Sequence, residues 1–417
     1  MKKNYELTIK AAFAGYVVQA IVNNFLPLLF VQMQNEFDIP LSQITLLITI
    51  NFFIQLLIDL GSTPVIDRIG YRISMILSNA FVIAGLALLT ILPGKMANPF
   101  TGVLTAVCIY AIGGGLQEVL VSPIVEGCPT KNKETTMSLL HSAYCWGHVA
   151  VVLISTLFFK LAGIDNWRIL SALWCIIPLA DLILFTFVPI IEPGDLSEPT
   201  GEEEFQGAKD PLKEKDRTGL SDLIRRKIFW VMMLMMLCAG ASEQAVSQWA
   251  SAFAEKGIGV SKQTGDLLGP MLFAICMGTS RTIYGIKGHR IDLRKFMNFS
   301  VILCVISYLV IIIVRDPILS LLGCAFTGMA VGIFWPGTFS MAAAGIKNGG
   351  TLMFALLALA GDLGCSGGPA FSGIIMSLCN GNMRAGIGAA IVFPILMGLG
   401  LRISKMTGSS DDGSAKA

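Results

Sequence analysis

The sequence predicts an all-α integral membrane protein, with twelve transmembrane helices in two pseudo-symmetric six-helix bundles. Three observations predict it. Only 14% of the residues are charged and the mean hydropathy is +0.70, where a water-soluble domain carries about 25% charge. Apolar runs of about 20 residues recur along the chain, each long enough to cross a hydrocarbon core of about 30 Å. The ten-residue alternation of a membrane β-barrel is absent. One long polar stretch in the middle then divides the runs six and six.

The first half, 1–191, opens on MKKNYELTIK. This basic start leads into a run at 8–33 with no small-residue cleavage site, so it reads as an uncleaved first helix rather than a signal peptide. Runs at 42–62, 73–93, 100–126, 138–162 and 168–191 complete the half. Residues 192–227, EPGDLSEPTGEEEFQGAKDPLKEKDRTGLSDLIRRK, are charged, punctuated by proline and glycine, and longer than any other connection. Such a stretch is a linker. The second half, 228–405, holds runs at 228–253, 264–284, 296–314, 318–344, 351–378 and 385–403, followed by a polar tail, 406–417. A weak internal repeat accompanies the division: VIDRIGYRISM follows the second run and YGIKGHRIDLRKFM the eighth.

Basic residues are distributed unevenly between the two faces of this layout. Of the 30 lysines and arginines, all but Lys95, Lys160, Arg168, Lys256, Lys262, Arg315 and Arg384 fall to the face holding the termini and the linker. The positive-inside rule makes that face cytoplasmic, in a plasma (inner) membrane. A net charge of +2, with no basic stripe, excludes nucleic acid as a partner. None of the ten cysteines forms a CxxC or a zinc-ligand spacing, so they read as packing residues and no metal site is expected. No P-loop, HExxH or GxSxG occurs, which argues against an ATP-driven pump or an enzyme, and no cofactor is implied.

Polar residues inside the runs are the candidates for function. Glu118, in YAIGGGLQEVLVSPIVEG, puts a carboxylate in hydrocarbon at a cost of about 2.5–3.5 kcal/mol, and Gln117 adjoins it. In CAGASEQAVSQWASAF, Glu243 and Ser247 share one helical face and Gln244 and Gln248 the next, with Trp249 beside them. Glutamine offers planar donors and acceptors to a hydroxyl-rich solute, and an indole stacks on a sugar ring; interhelical hydrogen bonding is the other reading. His141, Tyr144 and His148 form a stripe at i, i+3 and i+7, where histidine can relay protons or hold a carbonyl. Asn51, Gln55 and Asp59 fall at four-residue steps, with Asp59 near the loop. Asp362 precedes Pro369 in a glycine-rich run, and Trp335–Pro336 marks a break in the tenth.

The loop GSTPVIDRIGYR, with twelve runs and a long middle linker, resembles the major facilitator superfamily. Asp67, Arg68, Gly70 and Arg72 match that family's Gly-x-x-x-Asp-Arg-x-Gly-Arg-Arg/Lys signature, while Thr63 and Tyr71 depart from it. GGGLQEVLVSPIVEG, SLLHSAYCWGHV and GIFWPGTFSMA are similar to the fucose-permease-like branch of sugar/proton symporters. The resemblance implies a monomer that moves a small-molecule solute, a sugar or polyol, by proton symport and alternating access. Glu118 matches the branch's fourth-helix carboxylate, associated with proton coupling and sugar contact. The branch's first-helix acid is missing, since QAIVNNFLP has Asn23 and Asn24 there, so Glu243 is the candidate second proton site. Asn23, Asn24, Gln117, His141, Tyr144, His148, Gln244, Gln248, Trp249 and Trp335 are the candidate solute contacts. Asp59, Asp67, Arg68, Gly70, Arg72 and Asp362 are the candidate gating residues. An alternative is a proton-coupled exporter of lipophilic compounds, which the methionines of VMMLMMLC fit. A membrane enzyme or a non-transporting sensor is a third reading, though neither a nucleophile–base set nor a signalling domain is present.

Overall fold

The computed structural model describes residues 5–129, 133–191, 220–287, 291–346 and 350–414. Residues 192–219 of the expected linker lie outside them. Among the described residues the regular structure is entirely helical. The first half is α1 (Tyr5–Phe37), α2 (Leu41–Gly61), α3 (Arg68–Lys95), α4 (Pro99–Gly127), α5 (Leu139–Ala162) and α6 (Ile164–Phe187). The second is α7 (Lys227–Gly257), α8 (262–287), α9 (Leu293–Ile313), α10 (Pro317–Gly345), α11 (Met353–Leu378) and α12 (Met383–Lys405). Eleven of these are apolar and long enough to span a bilayer. The exception is α8, where Lys262, Asp266, Arg281 and Lys287 dilute the hydropathy and a π-turn at Leu267–Met271 carries Pro270.

Prolines break the helices where the site is built. Pro27 has no N–H for the carbonyl of Asn23 four residues back, and α1 tightens there into a 3₁₀ turn, Leu26–Leu29. Pro336 likewise deprives Gly332, and α10 breaks between Val331 and Phe334. At the start of α3 the break falls on Gly70 of the loop signature (φ 82°, ψ 163°), backbone that only glycine adopts without strain. Two residues on, Arg72 donates to the carbonyls of Phe185, Thr186 and Val188 at 2.8, 3.0 and 2.9 Å. It thereby caps α6, whose last carbonyls have no helical partner.

Lipid supplies no hydrophobic drive between helices, so close packing must. Along α7 and α11, Gly240 lies against the Gly361 carbonyl, Gly364 against the Leu237 carbonyl and Gly368 against the Ala241 backbone; a methyl group at any of the three would collide. The halves meet where α2 packs on α11 and α5 on α8. Several contacts between the halves lie toward the face opposite the linker. Gly373 sits on the Thr45 side chain, Lys256 Nζ donates to Gln34 Oε1 at 2.9 Å, and Lys262 lies 5.8 Å from the Phe159 ring.

Candidate functional site

Polar side chains from six helices join into one chain of hydrogen bonds across the molecule. In α8, Arg281 donates from Nη2 to Glu243 Oε2 at 3.2 Å, from Nε to the Gly332 carbonyl at 3.4 Å and from Nη1 to Cys145 Sγ at 3.6 Å. The Gly332 carbonyl is the one Pro336 leaves without a helical donor, so the break in α10 creates an acceptor that the guanidinium fills. Glu243 Oε1 accepts from Gln244 at 3.3 Å, and Gln244 Oε1 from Gln248 at 3.1 Å. Gln248 also donates across the halves to the Asn23 carbonyl at 3.1 Å, the acceptor freed by Pro27.

From Asn23 the chain continues through the first half. Asn23 Oδ1 accepts from Gln55 at 2.9 Å and from Asn51 at 3.2 Å. Gln19 donates to Gln55 Oε1 at 2.9 Å and to Glu118 Oε2 at 3.1 Å. The chain ends in three half-buried carboxyls, Asp59 of α2, Glu118 of α4 and Asp362 of α11, whose oxygens lie within 4.8 Å of one another. Asp59 and Asp362 face each other carboxyl to carboxyl across the halves. Cα–Cβ bonds tilt toward the helix N-terminus, so antiparallel α2 and α11 aim these two carboxyls at each other. That tilt lifts Asp59, expected beside the loop, into the site. The trio has the spacing of a small cation site.

Other candidate residues lie apart from this chain. Gln117, next to Glu118 but about 100° around the helix, points into the first half, donating to Asn79 Oδ1 at 3.0 Å; Asn79 donates to buried Asp181 at 2.9 Å. Asn24 donates to Tyr144 Oη at 3.2 Å, and His141, which is exposed, pairs with Tyr16 Oη at 3.3 Å. His148 is buried. Trp249 is fully buried, donating to the Pro369 carbonyl at 3.1 Å and packed 5.7 Å from Phe30. Trp335 covers Gly361. Arg68 is exposed, and of Asp67 only the backbone is described. Met232, Met235 and Met236 of the methionine run are buried in helix packing, with Met235 against Gly400 of α12. Near the opposite face a groove of about 430 Å³ is lined by Gln32, Asn35, Glu36, Asp165 and Arg168. There Glu36 is already held by Arg168 at 2.5 Å and by Trp167 at 2.8 Å.

Sequence reading missed two members of the chain. Gln19 lies one turn before Asn23 on the same face, a signal that was available. Arg281 fell inside the expected run 264–284 but was counted only among the charges of the linker face; in α8 its guanidinium reaches Glu243 instead. An ionisable group within a span is a functional candidate by default.

The sequence profile of the Major Facilitator Superfamily matches residues 11–369. The chain belongs to that superfamily. It is therefore a multi-pass membrane protein of a family of secondary transporters. No curated protein sequence matches it. Among solved structures it is similar to the fucose:proton symporter FucP of E. coli (14% identity, 96% of this chain and 99% of that one, TM-score 0.63). FucP in the outward conformation gives 0.62 over the same coverage and identity. A bacterial homologue of the human lysosomal transporter Spinster, inward-facing and unoccupied, gives 0.75 at 14% identity over 99% of each chain. At that identity the likeness is one of fold.

Proposed function

We propose that this superfamily member moves a small polar solute, a sugar or polyol, by proton symport. The bodies that rock are 1–191 and 228–405, tied by the linker 192–227 and followed by the tail 406–417, and the protein works as a monomer. The distribution of basic residues favours a plasma membrane with the linker and both termini on the cytoplasmic side.

The observation that carries the proposal is the bond from Gln19 to Glu118, which ends an amide chain running back to Glu243 in the other half. Protonation of Glu118 removes the acceptor charge that Gln19 holds, roughly halving the strength of that bond. Gln55, Asn23 and Gln248 then readjust, so the proton is felt at the junction between the halves. Glu243, compensated by Arg281, is the second proton site. The amides of Asn23, Asn24, Gln244 and Gln248 are within this network or next to it, placed to exchange protein partners for solute hydroxyls. Asp59 and Asp362, one from each half, serve the gate, as do Gly70 and Arg72 through the α3–α6 clamp.

The test is solute-driven proton movement in proteoliposomes with a pH-sensitive dye, over a panel of hexoses, deoxyhexoses and polyols. One class should acidify the lumen as it enters, and Glu118→Gln should abolish the proton signal while solute counterflow persists. Uptake with no proton movement in the unsubstituted protein would overturn the symport reading.

A further inference from the structure

Glu118 also stands at the end of a second string of polar side chains, separate from the amides. On α4, Glu118, Ser122 and Glu126 fall at four-residue steps and so share one face, which runs from the site to the exposed Glu126 near the helix end. Tyr16 of α1 lies across the middle of that face. Its Oη is 3.1 Å from Ser122 Oγ and 3.3 Å from His141 Nδ1, and the tyrosine and histidine rings pack with centroids 5.5 Å apart. Tyr16 is 7% exposed, whereas His141, near the start of α5, is exposed. One end of the string therefore meets water, and the other lies one helical turn from Glu118. Side chains four apart on a helix are neighbours, so rotation of the Glu118 side chain away from Gln19 closes the last gap.

Each member suits the passage of a proton. An imidazole takes a proton on one nitrogen and gives one from the other, and a hydroxyl both donates and accepts. Packing alone asks for less, since a phenylalanine at this place in α1 would fill the same space. Arg281 faces both Tyr16 and His141, and Glu118 faces Tyr16. Repulsion from the guanidinium and attraction to the carboxylate direct a proton inward.

We propose that His141, Tyr16 and Ser122 are the relay through which Glu118 exchanges its proton with water. This rests on the symport reading and deepens it. A proton from solution binds His141 Nε2, and the Nδ1 proton passes to Tyr16 Oη. The tyrosine's own proton moves to Ser122 Oγ, and the serine's to the Glu118 carboxylate. Each relay member takes one proton and gives one, Glu118 gains one, and His141 is left neutral as its other tautomer. Release runs the same steps backwards.

The test is the rate of solute-driven proton movement by the full-length protein in dye-loaded proteoliposomes. Tyr16→Phe removes a single oxygen and should slow that movement on the order of 100-fold, while solute counterflow, which needs no net proton transfer, persists. His141→Ala should slow it as much. Added imidazole should restore the His141→Ala rate in a dose-dependent way; pyrazole, of the same shape but a far weaker base, should not. Imidazole should leave Tyr16→Phe slow. Either variant moving protons at the unsubstituted rate would overturn the relay and leave symport standing. So would loss of counterflow in Tyr16→Phe, no rescue by imidazole, or equal rescue by pyrazole, each of which marks a structural tie. Uptake with no proton movement in the unsubstituted protein would overturn symport and the relay with it.

Discussion

Arg281 shows how much one side chain carries when it lies in a span. It compensates Glu243 and supplies the donor that Pro336 withholds from Gly332. Replacing it with alanine leaves a buried carboxylate without its charge partner, a loss of about 3–5 kcal/mol. We expect Arg281→Ala to lower the melting temperature in detergent sharply, and Arg281→Ala combined with Glu243→Gln to recover part of the loss. Arg281→Lys should rescue little, because an ammonium cannot reach a carboxylate, a carbonyl and a thiol with a planar fork. If the double variant melts no higher than the single one, the pairing is not what Arg281 contributes. Gln117 teaches the opposite lesson. Its proximity to Glu118 in sequence made it a solute candidate, yet neighbours in a helix diverge by about 100°, and its amide goes to Asn79.

Among the helices, the breaks matter more than the lengths. Pro27 and Pro336 each free a carbonyl, and a side chain from another helix takes it, so the two breaks become joints between elements. Gly70 is the third break, and its conformation (φ 82°, ψ 163°) is essentially glycine-only, with strain of about 1–3 kcal/mol for a side chain. Gly70→Ala should lower thermal stability by that amount and loosen Arg72 from the end of α6, read as faster hydrogen exchange at residues 183–188. Unchanged exchange there would mean that the clamp does not depend on the break. Run length and hydropathy were enough to find eleven of these helices, and the run expected at 264–284 corresponds to α8 although its charges dilute the hydropathy. The π-turn and the breaks were legible only as prolines, whose consequences depend on which neighbour stands opposite.

For the molecule as a whole, the two halves touch through α2–α11 and α5–α8, and in the first of these Gly373 packs on Thr45. In the proposed transport cycle that contact has to open. A Thr45→Cys/Gly373→Cys pair, in a background without the ten native cysteines, should cross-link under oxidant and stop counterflow, with recovery on reduction. Full counterflow in the cross-linked protein would show that this contact does not have to part.

The sequence by itself determined that this chain is a bundle of twelve membrane helices in two halves, because composition and run length report directly on the solvent a helix meets. It also determined which residues are costly to bury: Glu118, Glu243, Asp59 and Asp362 stand out against apolar neighbours whatever the fold. The tertiary structure alone decided which of them meet. Asp59 and Asp362 are about three hundred positions apart in the chain, and they face each other only because antiparallel helices of opposite halves tilt their side chains inward. Arg281 lay within an expected run, yet only the structure shows that its guanidinium reaches Glu243 and the Gly332 carbonyl. Partner choice among buried polar groups depends on distances of a few ångströms between distant segments, and that information is not local to any stretch of sequence.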